Sequence, residues 1–359
     1  MKIKNKIIKV LSFALIILLI VPTVASCSSC KKKADLEFNY TERTLAGNEI
    51  FDYGYFKYQV YTDGTAVIIE YNGSESNLNI PDNLNGKIVV EIAMATFMPS
   101  STDVTKNTGA ARLTSVTLNP SLEKIGEYAF YQCVNLSSIS FGDKLWSVGF
   151  EAFAETPWIK SQTDDFVTVG NGVLIKYQGK ETGVNIPDGI RHISSAFTNN
   201  EDLRSVTLSD SVLSVGVSSF SGCSSLVSVT FGSNVKLIDT YAFSSCYSLV
   251  SAEFPDSLEY IAPNAFYMCY SIKALKLGSS LKKISNNAFD SCTGIRTVEA
   301  PATLTVIEQQ AFSNCWSLCL VFYGGTEEQF KAINYTGDSG SNYMFKDAII
   351  IYGENLNEK

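Results

Sequence analysis

Ala242-Phe243-Ser244-Ser245-Cys246-Tyr247-Ser248-Leu249-Val250-Ser251-Ala252-Glu253-Phe254-Pro255-Asp256-Ser257-Leu258-Glu259-Tyr260-Ile261-Ala262-Pro263-Asn264 is one copy of a unit that the chain writes again from Ala265-Phe266. Phe197, Phe220, Phe243, Phe266, Phe289 and Phe312 fall 23 residues apart or close to it, and Phe130 and Phe153 share the spacing. Three positions after most of them stands a cysteine: Cys133, Cys223, Cys246, Cys269, Cys292 and Cys315. Two further apolar phases fill each interval. One reads Leu-x-x-Val-x-Leu, as in Leu203, Val206 and Leu208. The other is a shorter pair, as in Leu258 with Ile261 or Leu281 with Ile284. One unit of this size cannot bury its own apolar side, so copies must stack and share a core that runs along the array.

A period in this range, with a leucine phase of this form, predicts a leucine-rich repeat solenoid. Leu-x-x-Val-x-Leu predicts one short strand per coil, pairing with its neighbours into a parallel β-sheet on the concave face. Ala-Phe-x-x-Cys predicts a turn or short helical turn on the other side. Phe220, Phe243, Phe266, Phe289 and Phe312 should fill the coil centres. Cys223, Cys246, Cys269, Cys292 and Cys315 should act as small buried apolar groups. A disulfide framework is the alternative for so many cysteines in an exported chain, and Cys315 with Cys319 could sit together in the last coil.

Working outward, coils regular in sequence occupy much of 78–323, with an insertion at 98–110 and an irregular coil at 154–196. The step from Phe153 to Phe197 is nearly two coils long, and Asn171-Gly172 marks a turn between extended runs within it. A domain boundary there is the alternative. Residues 58–77, with Asp63-Gly64 between alternating runs, predict a capping hairpin. Residues 324–359 predict a C-terminal cap whose helix starts at Thr326 with Gln329 as a capping box. Residues 334–342 read as loop, before a last strand over 348–352.

The first 26 residues read as a signal peptide. Lys2, Lys4, Lys6 and Lys9 precede an apolar run from Val10 to Val21, then Pro22 and small residues. A membrane-spanning anchor is the alternative. Removing that segment leaves 24 basic and 36 acidic residues, a net charge of −12. Such a balance argues against nucleic acid as a partner, which needs a basic track. Residues 27–57 then form a tether and lead-in.

Candidate chemistry is sparse. His192, the sole histidine, is expected to face solvent on a coil, and no cysteine or serine has a base and orienter in view. The only Cys-x-x-Cys, Cys27 with Cys30, stands beside the signal, and one histidine is too few for a zinc site of the usual kind. Asp164-Asp165 reads as a turn pair, though carboxylates that converge in space could still serve glycoside hydrolysis. No cofactor, metal or enzyme activity is therefore expected. Surface rows remain. Ser228, Thr230, Ser251, Glu253, Lys276 and Glu299 should face outward from the predicted sheet. Tyr247, Tyr270 and Trp316 follow ladder cysteines, and with Tyr267 they make a candidate binding patch. Shielding of coil edges is the other reading of those rings.

The whole pattern, Ala-Phe-x-x-Cys-x-x-Leu-x-x-Val-x-Leu followed by Leu-x-x-Ile, resembles the BspA-like leucine-rich repeat family. Residues 129–153 and 196–323 carry it best, with Tyr61 to Ala66 and Tyr323 to Ile333 at the ends. The resemblance implies a surface protein of adhesin type recognising host or neighbouring-cell proteins, or else an envelope structural or glycan-capturing accessory protein. It carries over no catalytic residue. Val24-Ala25-Ser26-Cys27 resembles a bacterial lipoprotein box, which implies cleavage before Cys27 and lipid on its sulfur, with Cys30 a second candidate. The expected location is then the bacterial cell envelope, lipid-anchored and surface-exposed.

Overall fold

The computed structural model describes residues 40, 43–99, 109–337 and 342–353. Cys27, Cys30, the signal segment and most of the 98–110 insertion lie outside the described residues. Among the described residues, no helix is long and apolar enough to cross a membrane. The described residues belong to one compact unit.

Leu-x-x-Val-x-Leu forms three-residue strands, because alternation over so short a run puts one apolar residue inward between two polar ones. Ser205–Thr207 pairs in parallel with Ser228–Thr230, Val206 standing beside Val229. The same sheet continues through Ser251–Glu253, Ala274–Lys276, Thr297–Ala300 and Leu320–Tyr323 to Ile349–Tyr352. A smaller sheet of the same kind joins Asn77–Asn79, Ser115–Thr117 and Ser138–Ser140.

The shorter apolar pair makes a second parallel sheet in addition to the expected one. Its strands have two residues each: His192–Ile193, Ser214–Val215, Leu237–Ile238, Tyr260–Ile261, Lys283–Ile284 and Val306–Ile307. Ile193, Val215, Ile238, Ile261, Ile284 and Ile307 point into the core and are at most 0% exposed. With two residues per strand there is no alternation to read, so the pattern does not announce a sheet.

The third side is built of turns, and its backbone is unusual. In each coil the residues two before and two after the phenylalanine have positive φ. Asn264 at 57° and Met268 at 63° flank Phe266, and Tyr241 at 55° and Ser245 at 61° flank Phe243. A side chain in that region costs about 1–2 kcal/mol per residue. The inversion aims successive amides along the stack. Asn264 N–H donates to the Asn286 carbonyl, Phe266 N–H to Ala288 and Met268 N–H to Asp290, at 3.0, 2.8 and 3.0 Å. The turn side therefore has its own ladder of inter-coil hydrogen bonds, and none of its backbone donors at these positions is left unpaired in the interior.

Phenylalanines stack face to face down the middle. Ring centroids from Phe220 through Phe243, Phe266, Phe289 and Phe312 are 5.1, 5.1, 5.2 and 5.3 Å apart. Each of these rings is fully buried. Phe345 extends the stack from the C-terminal cap, 4.8 Å from Phe312. In the irregular coil Tyr177 takes the missing place, 4.8 Å from Phe197. That accounts for the long step in the sequence: a tyrosine stands where the pattern asks for phenylalanine. Before it, Pro157–Lys160 forms a short helix capped by Thr156, and Phe166–Val169 forms a hairpin with Val173–Tyr177. Buried residues accordingly group into a cluster over 56–173 and a larger one over 174–345.

At the N-terminal end Phe56–Val60 and Ala66–Tyr71 form the expected hairpin, closed by Asp63, whose carboxylate accepts the Thr65 amide at 2.9 Å. The lead-in adds a strand, Phe51–Tyr53, so this cap starts earlier than residue 58. At the other end the Thr326–Gln329 capping box starts the helix Glu327–Lys331. Asn334–Tyr335, read from sequence as loop, is a strand of the second sheet.

Candidate functional site

Three surfaces of the coils carry polar or aromatic rows. The first is the outer face of the three-residue strands. Ser228, Thr230, Ser251, Glu253, Lys276 and Glu299 are all exposed there. Ser228 stands beside Ser251, and Lys276 stands between Glu253 and Glu299 in register. Opposite charges on adjacent strands contribute about 0.2–1 kcal/mol per pair. This face is small-sided and mixed in charge, with no ring on it in these coils.

The second surface is the edge where the turn side meets those strands. Tyr247 and Tyr270, one residue past their cysteines, stack with centroids 5.4 Å apart and planes within 10°. They are 43% and 39% exposed. Burial, and then the neighbouring Tyr247 phenol, raise Tyr270 above the ordinary phenol range. Val227 and Val250, four positions past their cysteines, are 41% exposed each and lie on adjacent coils. Trp316, two coils beyond Tyr270, is 63% exposed and makes no ring contact among the described residues. Tyr267 is half-buried on the turn side and belongs with Tyr270 through its charge field alone. So the structure brings Tyr247 and Tyr270 together, leaves Trp316 apart from them across Thr293, and adds Val227 and Val250, which the sequence reading passed over. Their signal was there: both occupy the outward position just before the strand, where other coils have Arg204, Lys273 or Arg296.

The third surface is the outer face of the second sheet, and the chain covers part of it. Tyr40 lies 5.7 Å from Tyr260 and 6.2 Å from Trp146, while Arg43 reaches Glu123 at 2.8 Å and Asp63 at 2.8 Å. Leu237 points outward from its strand and is still fully buried. A cavity of 190 Å³ remains between Tyr40, Leu237, Tyr260, Pro263 and Lys283, whose ammonium is held by Glu308 at 2.8 Å.

His192 also belongs to this covered face, so the expectation of a solvent-facing imidazole is corrected. It is 4% exposed, lies 6.2 Å from the Trp146 ring, and its Nδ1 is 2.8 Å from Ser214 Oγ. Burial, then the Arg191 charge, pull its pKa down to about 3. Covering by Trp146 from another coil is a non-local event that the residues around His192 do not announce.

The cysteines are core groups. Cys133, Cys223, Cys246, Cys269, Cys292 and Cys315 are buried free thiols, and Cys319 is a partly exposed one. Each ladder thiol donates to the carbonyl of a phenylalanine in the preceding coil, as Cys292 does to Phe266 at 3.0 Å and Cys315 to Phe289 at 3.2 Å. Cys319 instead meets Arg296 O at 3.5 Å, so Cys315 and Cys319 face different surroundings. Burial alone pushes Cys133 up to about 12. A thiol so hard to ionise is a poor nucleophile and a poor metal ligand. Among the described residues no group of three or more His, Cys, Asp or Glu side chains is placed to hold a metal ion.

Comparison with known proteins agrees with this architecture. The family model described as BspA type leucine rich repeat region matches residues 108–195 and 191–319, in six copies. Among solved structures, a leucine rich cell surface protein from Faecalibacterium prausnitzii is 22% identical over 82% of this chain and 99% of its own, with a TM-score of 0.30. The pneumococcal vaccine antigen PcpA is 14% identical over 85% of this chain and 98% of its own, with a TM-score of 0.43. The T. pallidum leucine rich repeat protein is 18% identical over 79% and 94%, with a TM-score of 0.26. No curated protein matches the chain.

Proposed function

This chain belongs to the BspA type leucine-rich repeat family, and from that premise we propose that it is a lipid-anchored cell-surface binding protein of adhesin type. In this reading it sits in a bacterial cell envelope, cleaved before Cys27 and held by lipid on that sulfur. Residues 27–57 serve as tether and lead-in, residues 78–323 display the binding surface, and 58–77 and 324–359 close the ends. Its ligands are proteins of a host or a neighbouring cell, and it carries out no reaction on them.

One observation carries the binding reading: the exposed strip of Val227, Tyr247, Val250, Tyr270 and Trp316. The backbone flanking the tyrosines is already paired without them: the Ser245 and Val250 amides donate to the Tyr267 and Val227 carbonyls of neighbouring coils, and the Tyr270 amide donates to Met268 within its own turn. Exposed aromatics grouped in this way, with aliphatic neighbours, are the composition of a recognition patch. The acidic balance of the chain supports a partner other than nucleic acid.

The test is a panel of immobilised host-matrix and cell-surface proteins, probed with the chain lacking residues 1–33. Tyr247→Ala with Tyr270→Ala is expected to lose the binding that the parent shows while melting at a similar temperature. Unchanged binding by that folded variant would remove the strip as the site. For the anchor, Cys27→Ser is expected to move the protein from the detergent phase to the aqueous phase in detergent partitioning. Partitioning that ignores the substitution would contradict lipid on Cys27.

A further inference from the structure

We infer that the C-terminal half of this strip grips an acidic sugar residue, seated over Thr293 between Tyr270 and Trp316. The inference rests on the reading of the strip as the binding face and names what that face holds.

Tyr270, Thr293 and Trp316 occupy the same position, one past the cysteine, in three successive coils. Tyr270 has one ring face against Tyr247. No ring lies on its other side among the described residues, where the next coil offers only the small Thr293. Two steps of the core stack, 5.2 and 5.3 Å, set the distance from the Tyr270 coil to the Trp316 coil. Less one ring thickness, that leaves about 7 Å of free space over Thr293. That gap is wider than a flat aromatic group needs and suits a pyranose ring, which is thicker because of its axial hydrogens. The C–H groups on both faces of such a sugar would meet the electron-rich faces of Tyr270 and Trp316.

Charge selects among sugars. The Lys273 ammonium lies 3.1 Å from the point where a Cβ on Gly294 would stand, immediately beside Thr293. Lys273 and Arg296 are exposed, and neither has an ion-pair partner among the described residues. The acid on the same turn, Asp290, is engaged by Asn314 Nδ2 at 2.9 Å and Ser291 Oγ at 3.0 Å. An uncommitted ammonium at the foot of an aromatic slot, with exposed Arg296 on the same coil as Thr293, in a chain that is acidic as a whole, matches a ligand carboxylate. Gly294 is required for this arrangement, since a Cβ there would come within 2.4 Å of the Tyr270 carbonyl oxygen.

The experiment uses a glycan array bearing N-acetylneuraminate-terminated, glucuronate-bearing and neutral oligosaccharides, with the chain lacking residues 1–33. Acidic glycans are expected to bind and neutral ones to bind at least about tenfold more weakly, the difference shrinking with added salt. Thr293→Trp fills the slot without touching the core, and Trp316→Ala removes one wall. Each is expected to cost at least about tenfold in acidic-glycan affinity. Lys273→Gln is expected to reduce the preference for acidic over neutral glycans. Equal binding of acidic and neutral glycans, or full binding by folded Thr293→Trp, would overturn the inference. The parent is also tested against a bound glycoprotein before and after enzymatic removal of its acidic sugars. Binding that survives the removal overturns the sugar but keeps a protein-binding strip, whereas binding to neither form, nor to any glycan, overturns both.

Discussion

The thiol of Cys269 donates to the backbone carbonyl of Phe243, 3.1 Å away in the preceding coil. The contact joins the two most regular features of the repeat, and Cys133, Cys223, Cys246, Cys292 and Cys315 repeat it. It explains why cysteine recurs there. The site needs a small buried group that can still satisfy a carbonyl facing the core, and alanine offers no donor while valine offers no donor and more bulk.

Thiol labelling follows from that burial. With residues 1–33 removed, native protein at pH 8 is expected to react with an aromatic disulfide reagent at Cys319 alone. All seven described cysteines should react after denaturation. Burial holds Cys223 up to about 12, so below that pH the folded thiol keeps its proton while an unfolded one loses it above about 9. The folded state then binds more protons than the unfolded state between those values, so stability falls as pH rises through them. Rapid native labelling of several cysteines would contradict the buried ladder.

Truncating the centre of the stack should be costly. Phe266 is fully buried between Phe243 and Phe289 at 5.1 and 5.2 Å. Phe266→Ala is expected to lose about 3–5 kcal/mol in chemical denaturation. Phe231→Ala is expected to lose less, because that ring lies outside the stack, edge-on to Phe243 and tilted against Phe254, and is partly exposed.

The left-handed turn positions make opposite predictions for two residues. Gly222 has φ of 74°, and a Cβ there would come within 2.2 Å of Asn199 Oδ1. Gly222→Ala should therefore cost about 1–2 kcal/mol through φ alone. Exposed Glu151 sits at φ 51°. Glu151→Gly should raise stability by up to about 1 kcal/mol, the strain relieved being partly offset by the freedom glycine gains when unfolded. Thermal melts of the two variants, shifting in opposite directions, check this.

His192 predicts acid sensitivity. Its folded pKa, pulled down to about 3, lies below the value near 6.5 of an unfolded histidine. Between those values the unfolded state binds the extra proton, so this group's contribution is present above pH 6.5 and fades as pH falls toward 3. Its full extent is on the order of 5 kcal/mol. Unfolding midpoints measured from pH 7 to pH 4 should fall more steeply for the parent than for His192→Asn, which has nothing to titrate there.

The stacking of coils was legible because three phases recur together. Leucine, phenylalanine and cysteine each mark a position where only a narrow range of volume fits between neighbouring coils. The second sheet was not, since Tyr260–Ile261 and its equivalents are too short to show alternation. Nor were the left-handed turns. Glycine or asparagine would advertise them, yet Tyr128, Glu151, Tyr241 and Met268 stand at several, and Tyr128, Tyr241 and Met268 are held by hydrogen bonds to the next coil. The candidate patch was half legible: Tyr247 and Tyr270 share a repeat position. The slot beside them was not, because it depends on a small residue, Thr293, standing between two large ones and on where the Lys273 ammonium folds.

Hydrogen exchange measured with and without the strongest ligand from the panels tests the central claim most directly, because it reports the contacted coils without altering them. The account predicts new protection at 247–250, 270–273, 293–296 and 316–319, with the strand residues Glu253, Lys276 and Glu299 little changed. Protection concentrated on those strands, or on the second sheet around Tyr260 and Lys283, would contradict it.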